Sequence, residues 1–246
     1  MYKILVTGQI HEIGLEMLRK EKDIEIHHAP DLPLPEILKI IAPFHCILTR
    51  SETPVSKELI DKAPKLKVIA RAAVGIGNID VNYATEKGIL VINTPGKNTN
   101  SAAELTIGLL LSAMRKIIPA HIHMSELKWD RHTFTGTELL GKTIGIIGLG
   151  NVGHRVARYA KAFEMEVLAY DPYIADEVFE RHNSIKCTWD ELISSADVIS
   201  LHVPKNTETT GMIGAKEFSR MKSGVVILNT ARGGIIQEKP LLEELK

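Results

Sequence analysis

Short apolar runs alternate with amphipathic stretches along most of this chain, and the alternation predicts an α/β fold. The runs are rich in Ile, Val and Leu and only a few residues long, which is typical of strands buried on both faces of a parallel sheet. The stretches between them carry apolar residues at helical spacing, and Ser56 is predicted to cap a helix over residues 57–62. The predicted strands are residues 2–6, 24–27, 45–49, 67–70, 89–92, 143–147, 166–170, 198–202 and 225–229.

The predicted strands fall into two series, so we predict two doubly wound parallel-sheet domains with helices on both faces. The second series begins at Thr143. Between the series, residues 98–118 predict one long helix that bridges the domains, and residues 129–138 predict a loop. We place the boundary near Gly96, which makes the domains residues 1–97 and 98–246.

Three glycines follow the strand at residues 143–147 as G-x-G-x-x-G and precede a stretch with helical periodicity. In a dinucleotide site, Gly148 allows the tight turn, Gly150 lets the pyrophosphate approach the backbone, and Gly153 lets the helix pack closely on the strand. The free N–H groups at the start of the helix bind the phosphate charge. A structural turn with three incidental glycines is the alternative.

Asp171 ends the next predicted strand, 18 positions after Gly153. A carboxylate at this place receives the ribose hydroxyls of a dinucleotide. It also repels a 2′-phosphate, so we predict NAD as the cofactor rather than NADP. The alternative is a capping aspartate without a ligand.

Composition narrows the function classes. The chain has 30 basic and 30 acidic residues and 44% hydrophobic content, which is ordinary for a globular protein and gives no electrostatic footprint for nucleic acid. Cys46 and Cys187 have no metal or redox spacing, so we predict inert thiols and a cytoplasmic protein. The longest apolar run, residues 105–114, is too short to span a bilayer, and no secretory signal is visible, so we predict no membrane partner. We predict no metal site, since His121 and His123 do not share a helix face.

Ligands of doubly wound sheets bind beyond the carboxyl ends of the strands, so the strand-end loops are the places to look for function. Besides the glycine motif and Asp171, these loops are residues 74–77, 93–96, 202–204 and 230–234.

The order of motifs resembles that of the D-isomer-specific 2-hydroxyacid dehydrogenases, and within that family the branch acting on 3-phosphoglycerate. The matching segments are residues 71–80, 93–96, 101–105, 141–150, 170–172, 202–204, 209–211 and 229–234. The resemblance implies a flavodoxin-like substrate domain, a Rossmann NAD-binding domain, and NAD-dependent oxidation of a D-2-hydroxy acid to a 2-keto acid. With 3-phosphoglycerate as substrate, the reaction would serve serine synthesis.

The resemblance also implies roles for individual residues. Arg232 would be the catalytic arginine that clamps the substrate carboxylate and polarises its carbonyl, a task suited to a planar guanidinium. The substrate-binding residues would be Arg50, whose cation reaches a substrate phosphate, and the backbone N–H groups of Val74, Gly75 and Ile76. Arg71 and Lys97 are weaker candidates for the phosphate. The cofactor-binding residues would be Val74, Gly148, Gly150, Asn151, Val152, Gly153, Asp171, Val203, Thr230, Ala231 and Arg232.

Two departures from the family pattern stand out. Gly77 occupies a position where the family often has Asp, which leaves the expected activity unchanged. The family also uses a glutamate and a histidine beyond the arginine, but no histidine follows His202, and His202 itself matches a position that works through its backbone. We therefore expect a C-terminally truncated and inactive fragment.

Several functions remain open at this stage. Close alternatives to the phosphoglycerate reaction are reduction of glyoxylate, hydroxypyruvate or D-lactate. An alternative of another class is a non-catalytic NAD-binding interaction module, because some relatives act as corepressors. The relatives associate through the cofactor domain, so we expect a homodimer or a tetramer.

Overall fold

The computed structural model describes residues 1–246, and the chain divides into two compact units, Met1–Asn98 and Thr99–Lys246. The first unit is a five-stranded parallel sheet in the order β2-β1-β3-β4-β5. Its strands are β1 (Tyr2–Val6), β2 (Ile24–His28), β3 (Cys46–Thr49), β4 (Val68–Arg71) and β5 (Leu90–Ile92). Its helices are α1 (Glu12–Arg19), α2 (Leu34–Ile40), α3 (Lys57–Asp61) and α4 (Val81–Glu86).

Helices cover both faces of the first sheet. Successive residues of a strand point to opposite faces, and β1 follows this rule. Leu5 packs in the cluster that contains the buried residues of α2, α3 and α4, whereas Ile4 and Val6 pack with Leu15 of α1. This two-sided burial explains why the strands are nearly continuous apolar runs.

The second unit is also a five-stranded parallel sheet, in the order β10-β9-β6-β7-β8. Its strands are β6 (Thr143–Ile147), β7 (Glu166–Tyr170), β8 (Ile185–Lys186), β9 (Val198–Leu201) and β10 (Val226–Asn229). Its helices are α5 (Thr99–Met114), α6 (Ile117–Ser125), α7 (Gly153–Ala162), α8 (Asp176–Arg181), α9 (Trp189–Ser195), α10 (Ala215–Phe218) and α11 (Glu238–Glu244). Counted within the unit, this order is 5-4-1-2-3, the Rossmann arrangement of the first five strands.

The central strand β6 is buried on both faces. Ile144 and Ile146 pack with α5 and α7, and Ile147 packs with Leu192 and Ile193 of α9. The strand therefore holds the turn that follows it in a fixed place between two helical layers.

The predicted helix over residues 98–118 is wrong in one respect, because it breaks into α5 and α6. Lys116 has a left-handed backbone with φ 52°, and the two helices meet at 68°. The break has two causes: Pro119, in the first turn of α6, cannot donate to Arg115 O, and a loop returns over the end of α5. Thr137 N donates to Met114 O at 2.7 Å, and a Cβ on Gly136 would lie 2.5 Å from the same oxygen.

Two smaller differences concern helix ends and missed elements. Ser56 stands at the N-cap of α3 but makes no capping hydrogen bond through its side chain. Elements α8, β8 and α9 were not predicted. The capping box of α9, in which Thr188 and Glu191 bond each other's backbone, is visible in the sequence as T-x-x-E and could have located it.

No single helix is long and apolar enough to cross a bilayer. Helices α5 and α6 together meet the length and composition expected of a span, but as a sharply bent pair.

Candidate functional site

The glycine turn after β6 is shaped by close backbone packing. Gly148 has φ 90°, and a Cβ there would lie 2.9 Å from the carbonyl carbon of His202. A Cβ on Gly153 would lie 2.0 Å from Gly148 O. A Cβ on Gly150 would meet no atom within 4 Å. Two glycines are therefore required by packing, whereas Gly150 borders open space that a ligand can occupy.

Helix α7 begins without a side-chain cap. Val152 stands at its N-cap position and supplies no capping hydrogen bond. His154 N donates to Gly150 O at 3.1 Å and Arg155 N to Val152 O at 3.0 Å, whereas the N–H groups of Asn151, Val152 and Gly153 donate to no backbone carbonyl. An anion such as a pyrophosphate matches such a helix start.

Asp171 is held in place by two backbone amides. Leu149 N donates to its Oδ2 at 3.0 Å, and Tyr173 N donates to its Oδ1 at 3.0 Å. The first bond ties the end of β7 to the glycine turn after β6. Each carboxylate oxygen has a second lone pair, so Asp171 can still accept hydroxyl groups of a ligand.

A cavity of about 270 Å³ lies at the carboxyl ends of β6, β7 and β9, close to the lower limit of small-ligand pockets. Apolar side chains and two carboxylates form much of its wall. The lining includes Gly148, Gly150, Asp171, Tyr173, His202, Val203, Pro204, Glu208 and Met212.

His202 is a half-buried side chain that lines the cavity. Its Nε2 lies 2.8 Å from Ser200 Oγ. Burial lowers the pKa of His202 to about 4, so the imidazole is uncharged and weakly basic at neutral pH. This geometry supports leaving His202 without a chemical role.

The loop after β10 carries Arg232 and is braced by two residues that sequence reasoning missed. Asn229 Oδ1 accepts from Ala231 N at 3.1 Å, and Asn229 Nδ2 donates to Arg232 O at 2.9 Å. The hydroxyls of Thr230 and the buried Thr106 of α5 lie 2.7 Å apart. An Asn at a strand end is a known turn signal, and Thr106 is a polar residue inside an apolar run, so both could have been noticed. The Arg232 guanidinium itself is exposed and donates to Ala231 O at 2.7 Å.

In the first unit, the loop after β4 presents unused backbone donors. The carbonyl oxygens of Val74, Gly75 and Ile76 already accept hydrogen bonds. Val74 O accepts from Asn93 Nδ2 at 2.7 Å, and Gly75 O accepts from Arg71 Nε at 2.9 Å. Ile76 O accepts from Ile79 N at 3.0 Å. The N–H groups of the same three loop residues donate to no group of the chain. Three neighbouring free donors on a fixed loop are suited to a carboxylate.

Arg50 and Arg71 differ in their surroundings although both end strands of the same sheet. Arg50 is exposed, and its Nη1 donates to Gln9 O at 2.9 Å. Arg71 is buried, donates to Arg50 O through a short hydrogen bond, and has its pKa lowered by burial. The structure therefore makes Arg71 a brace between two loops and leaves Arg50 as the solvent-facing cation.

The structure brings many of the predicted cofactor positions together within the second unit. Gly148, Gly150, Asp171 and Val203 line one cavity. Residues 230–232 follow β10 at the same edge of that sheet and do not line this cavity.

Outside these regions no further chemistry is evident. No group of three or more His, Cys, Asp or Glu side chains is arranged to hold a metal ion. Cys46 and Cys187 are free, and burial raises the pKa of each thiol to about 11. Both therefore stay protonated at neutral pH.

Comparison with known proteins finds relatives that match nearly the whole chain. The chain is 45% identical over 244 residues to the D-3-phosphoglycerate dehydrogenase of Archaeoglobus fulgidus, which covers 99% of this chain and 46% of that protein. It is 40% identical over 244 residues to the hydroxypyruvate reductase of Thermotoga maritima, covering 99% of this chain and 78% of that protein. The chain thus spans about half the length of the phosphoglycerate dehydrogenases it matches.

A solved structure and a family profile lead to the same conclusion. The D-lactate dehydrogenase of Aquifex aeolicus, complexed with NAD and lactic acid, superposes with a TM-score of 0.85 at 29% identity, covering 99% of this chain and 73% of that one. The profile of the "D-isomer specific 2-hydroxyacid dehydrogenase, NAD binding domain" matches residues 107–246. The chain therefore belongs to the D-isomer-specific 2-hydroxyacid dehydrogenase family, and this matched segment is the NAD-binding domain of that family.

Proposed function

We propose that this chain forms the substrate-binding and NAD-binding parts of an NAD-dependent D-2-hydroxyacid dehydrogenase that oxidises 3-phosphoglycerate to 3-phosphohydroxypyruvate. The observation that carries the proposal is the carboxylate of Asp171, fixed by two backbone N–H groups beside a glycine turn. Only a ligand that approaches the backbone and offers hydroxyl groups makes use of both features.

Different residues of the second unit would bind different parts of the cofactor. The turn from Gly148 to Gly153, with the N–H groups at the start of α7, would hold the pyrophosphate, and Asp171 would hold the ribose hydroxyls. Val203 would contact the adenosine, and Thr230, Ala231 and Arg232 would lie near the nicotinamide. NAD, when bound, supplies the acceptor for the hydride.

Substrate binding would fall to the first unit and to Arg232. We propose that residues 1–97 are a flavodoxin-like substrate domain and residues 98–246 a Rossmann domain, in line with the strand orders of the two sheets. The free amides of Val74, Gly75 and Ile76 would bind the substrate carboxylate. In the second unit, the Arg232 guanidinium offers two parallel donors and would clamp a carboxylate and polarise a carbonyl.

Phosphate selection would rest on Arg50, which is solvent-facing and has no carboxylate partner. Hydroxypyruvate, glyoxylate and D-lactate are the competing substrates, and the relatives include a hydroxypyruvate reductase. Calorimetric titration of the chain with 3-phosphoglycerate and with D-glycerate would separate them. Tighter binding of the phosphorylated acid that Arg50→Ala abolishes supports the phosphate proposal, and equal binding of both acids rejects it.

Oxidation of the substrate hydroxyl needs a general base to take its proton, and His202, with a pKa lowered to about 4 and its Nε2 2.8 Å from Ser200 Oγ, is too weak a base for this step. We therefore expect these 246 residues alone to be about 10²–10⁴-fold less active than a relative with its histidine. A non-catalytic NAD-binding module, the corepressor-like alternative, would also bind NADH but would not bind a 2-hydroxy acid. Turnover of 3-phosphoglycerate by this chain at a relative's rate would contradict the expected inactivity.

The decisive first experiment is a fluorescence titration with NADH, with NADPH as the control ligand. NADH-selective binding supports the cofactor site. If neither nucleotide binds, a thermal melt of the same sample separates an unfolded domain from a folded domain without a nucleotide site.

We also propose a homodimer formed through the cofactor domain. Apolar side chains of α5 and α6, namely Leu105, Leu109, Ile117, Ile118 and Ile122, are 41–57% exposed, and a patch of this kind commonly marks an interface. Light scattering tests the dimer, since Ile118→Asp should give a monomer and a monomeric parent protein would reject the proposal. A cytoplasmic location stays a prediction.

A further inference from the structure

Two loops meet at the cavity of the second unit through a tyrosine and a glutamate. The Tyr173 hydroxyl donates a short hydrogen bond to the Glu208 carboxylate. Tyr173 N also donates to Asp171 Oδ1 at 3.0 Å, and all three residues line the cavity. Tyr173 therefore connects the carboxylate at the end of β7 with a second carboxylate in the loop after β9.

The loop that carries Glu208 is held by its own hydrogen bonds. Asn206 Oδ1 accepts from Glu208 N at 3.0 Å and from Thr209 N at 2.9 Å, and Thr209 Oγ1 donates to Pro204 O at 2.5 Å. Hydrogen bonds from their own backbone N–H groups therefore hold both Tyr173 and Glu208 in place. The second carboxylate has a defined place on the cavity wall.

The two charged side chains that line the cavity, Asp171 and Glu208, are both acidic. No lysine or arginine lines it, although sites for a 2′-phosphate use a nearby arginine. The hydrogen bond to Glu208 raises the pKa of Tyr173, and the charges of Glu208 and Asp171 raise it further. Tyr173 thus contacts both carboxylates, because its N–H donates to Asp171 and its hydroxyl donates to Glu208.

We propose that Glu208, positioned by Tyr173, is a second determinant of the preference for NAD over NADP. The inference rests on the proposed cofactor site, in which Asp171 receives the ribose hydroxyls. A 2′-phosphate placed there carries a charge of about −1.5 to −2, and the Glu208 carboxylate repels it independently of Asp171. Removing Asp171 alone therefore leaves NADP excluded by the remaining carboxylate.

The test is a double-mutant comparison with NADH and NADPH as ligands, using the whole chain. At low ionic strength, Asp171→Ser should bind NADPH weakly, and adding Glu208→Gln should tighten NADPH binding by about tenfold. NADH affinity should change less than about twofold on adding Glu208→Gln, and the gain for NADPH should shrink in high salt. Equal NADPH affinity in the single and double variants overturns the proposal.

Matched variants separate a local effect from a general change of charge. Glu180→Gln removes the same charge from an exposed position on α8 outside the cavity, and it must leave NADPH affinity unchanged. Tyr173→Phe in the Asp171→Ser background keeps Glu208 but frees it, and should give about a threefold gain in the NADPH to NADH affinity ratio. No gain refutes the positioning role of Tyr173. If the parent chain binds neither nucleotide, the cofactor site itself is rejected instead.

Discussion

The two strand-end regions of this molecule are built in different ways. The turn after β6 is held by backbone packing, with Gly153 lying directly against Gly148. The loop after β4 is held by side chains that bond its carbonyls, since Asn93, 19 positions away, bonds Val74 O and Arg71, four positions away, bonds Gly75 O. The glycines of the turn after β6 are a signal that the sequence shows directly, although Asp171 also bonds this turn. The loop after β4 has no such signal, and its geometry depends on which side chains bond its carbonyls.

The largest expected effect tests the backbone-held region. Gly153→Val should lower the free energy of unfolding by about 4 kcal/mol, at the upper end for a single substitution, because its Cβ would lie 2.0 Å from Gly148 O. Gly150→Val meets open space at its Cβ and should keep the stability but lose NADH binding. Urea unfolding and NADH titration of both variants measure the contrast; equal stability losses in the two would break it.

A second effect concerns pH and the end of β9. Burial holds the pKa of His202 at about 4, below its ordinary value of 6.5, so the unfolded chain binds the proton more readily than the folded one. Above pH 6.5, His202 is neutral in the folded and the unfolded chain and costs no stability. The free energy of unfolding falls as the pH drops from 6.5 towards 4, by up to about 3 kcal/mol. Urea unfolding of the parent chain and of His202→Gln between pH 7.5 and 4.5 measures it. Identical pH slopes for the two proteins would contradict the burial argument.

The side-chain-held region should respond more mildly. Arg71→Leu removes the donors to Gly75 O and Arg50 O and should cost about 2 kcal/mol, within the range for hydrogen bonds from charged groups. Arg71→Lys should restore only part of this, since an ammonium does not reproduce the guanidinium fork. Arg50→Ala is the matched control and should change stability by less than about 0.5 kcal/mol, because the side chain is exposed.

The smallest effect sharpens the comparison at a single hydrogen bond. Asn93→Ala leaves Val74 O without its partner and should cost about 1 kcal/mol. Amide hydrogen exchange should rise in the loop after β4 and stay constant in the turn after β6. Faster exchange in both loops would show that the two regions are not independently held.

The difference between the turn after β6 and the loop after β4 also explains which sequence predictions the structure matches. Strands β6 and β7 lie at the predicted bounds, Thr143–Ile147 and Glu166–Tyr170, because a strand buried on both faces must be apolar and a turn that lacks room for a Cβ must be glycine. The helix break at Lys116 has a local signal that the prediction passed over, because Pro119 cannot donate to Arg115 O and is tolerated only in the first turn of a new helix. The distant Gly136 and Thr137, which pack on the end of α5, could not be foreseen from this stretch. Ser56 illustrates the reverse case, a favourable cap residue whose side chain is not used.

By itself the sequence determined the α/β class, the glycine turn and the family, because each depends on residue types at short spacing or on motif order. Only the tertiary structure decided that Arg71 braces a loop while Arg50 faces solvent. It alone also showed that Asn229 and Thr106 hold the loop of Arg232 and that Tyr173 meets Glu208. These contacts join residues up to 124 positions apart, and many alternative partners would fit the same local pattern, so the pairing is fixed by packing of the folded chain rather than by neighbouring residues.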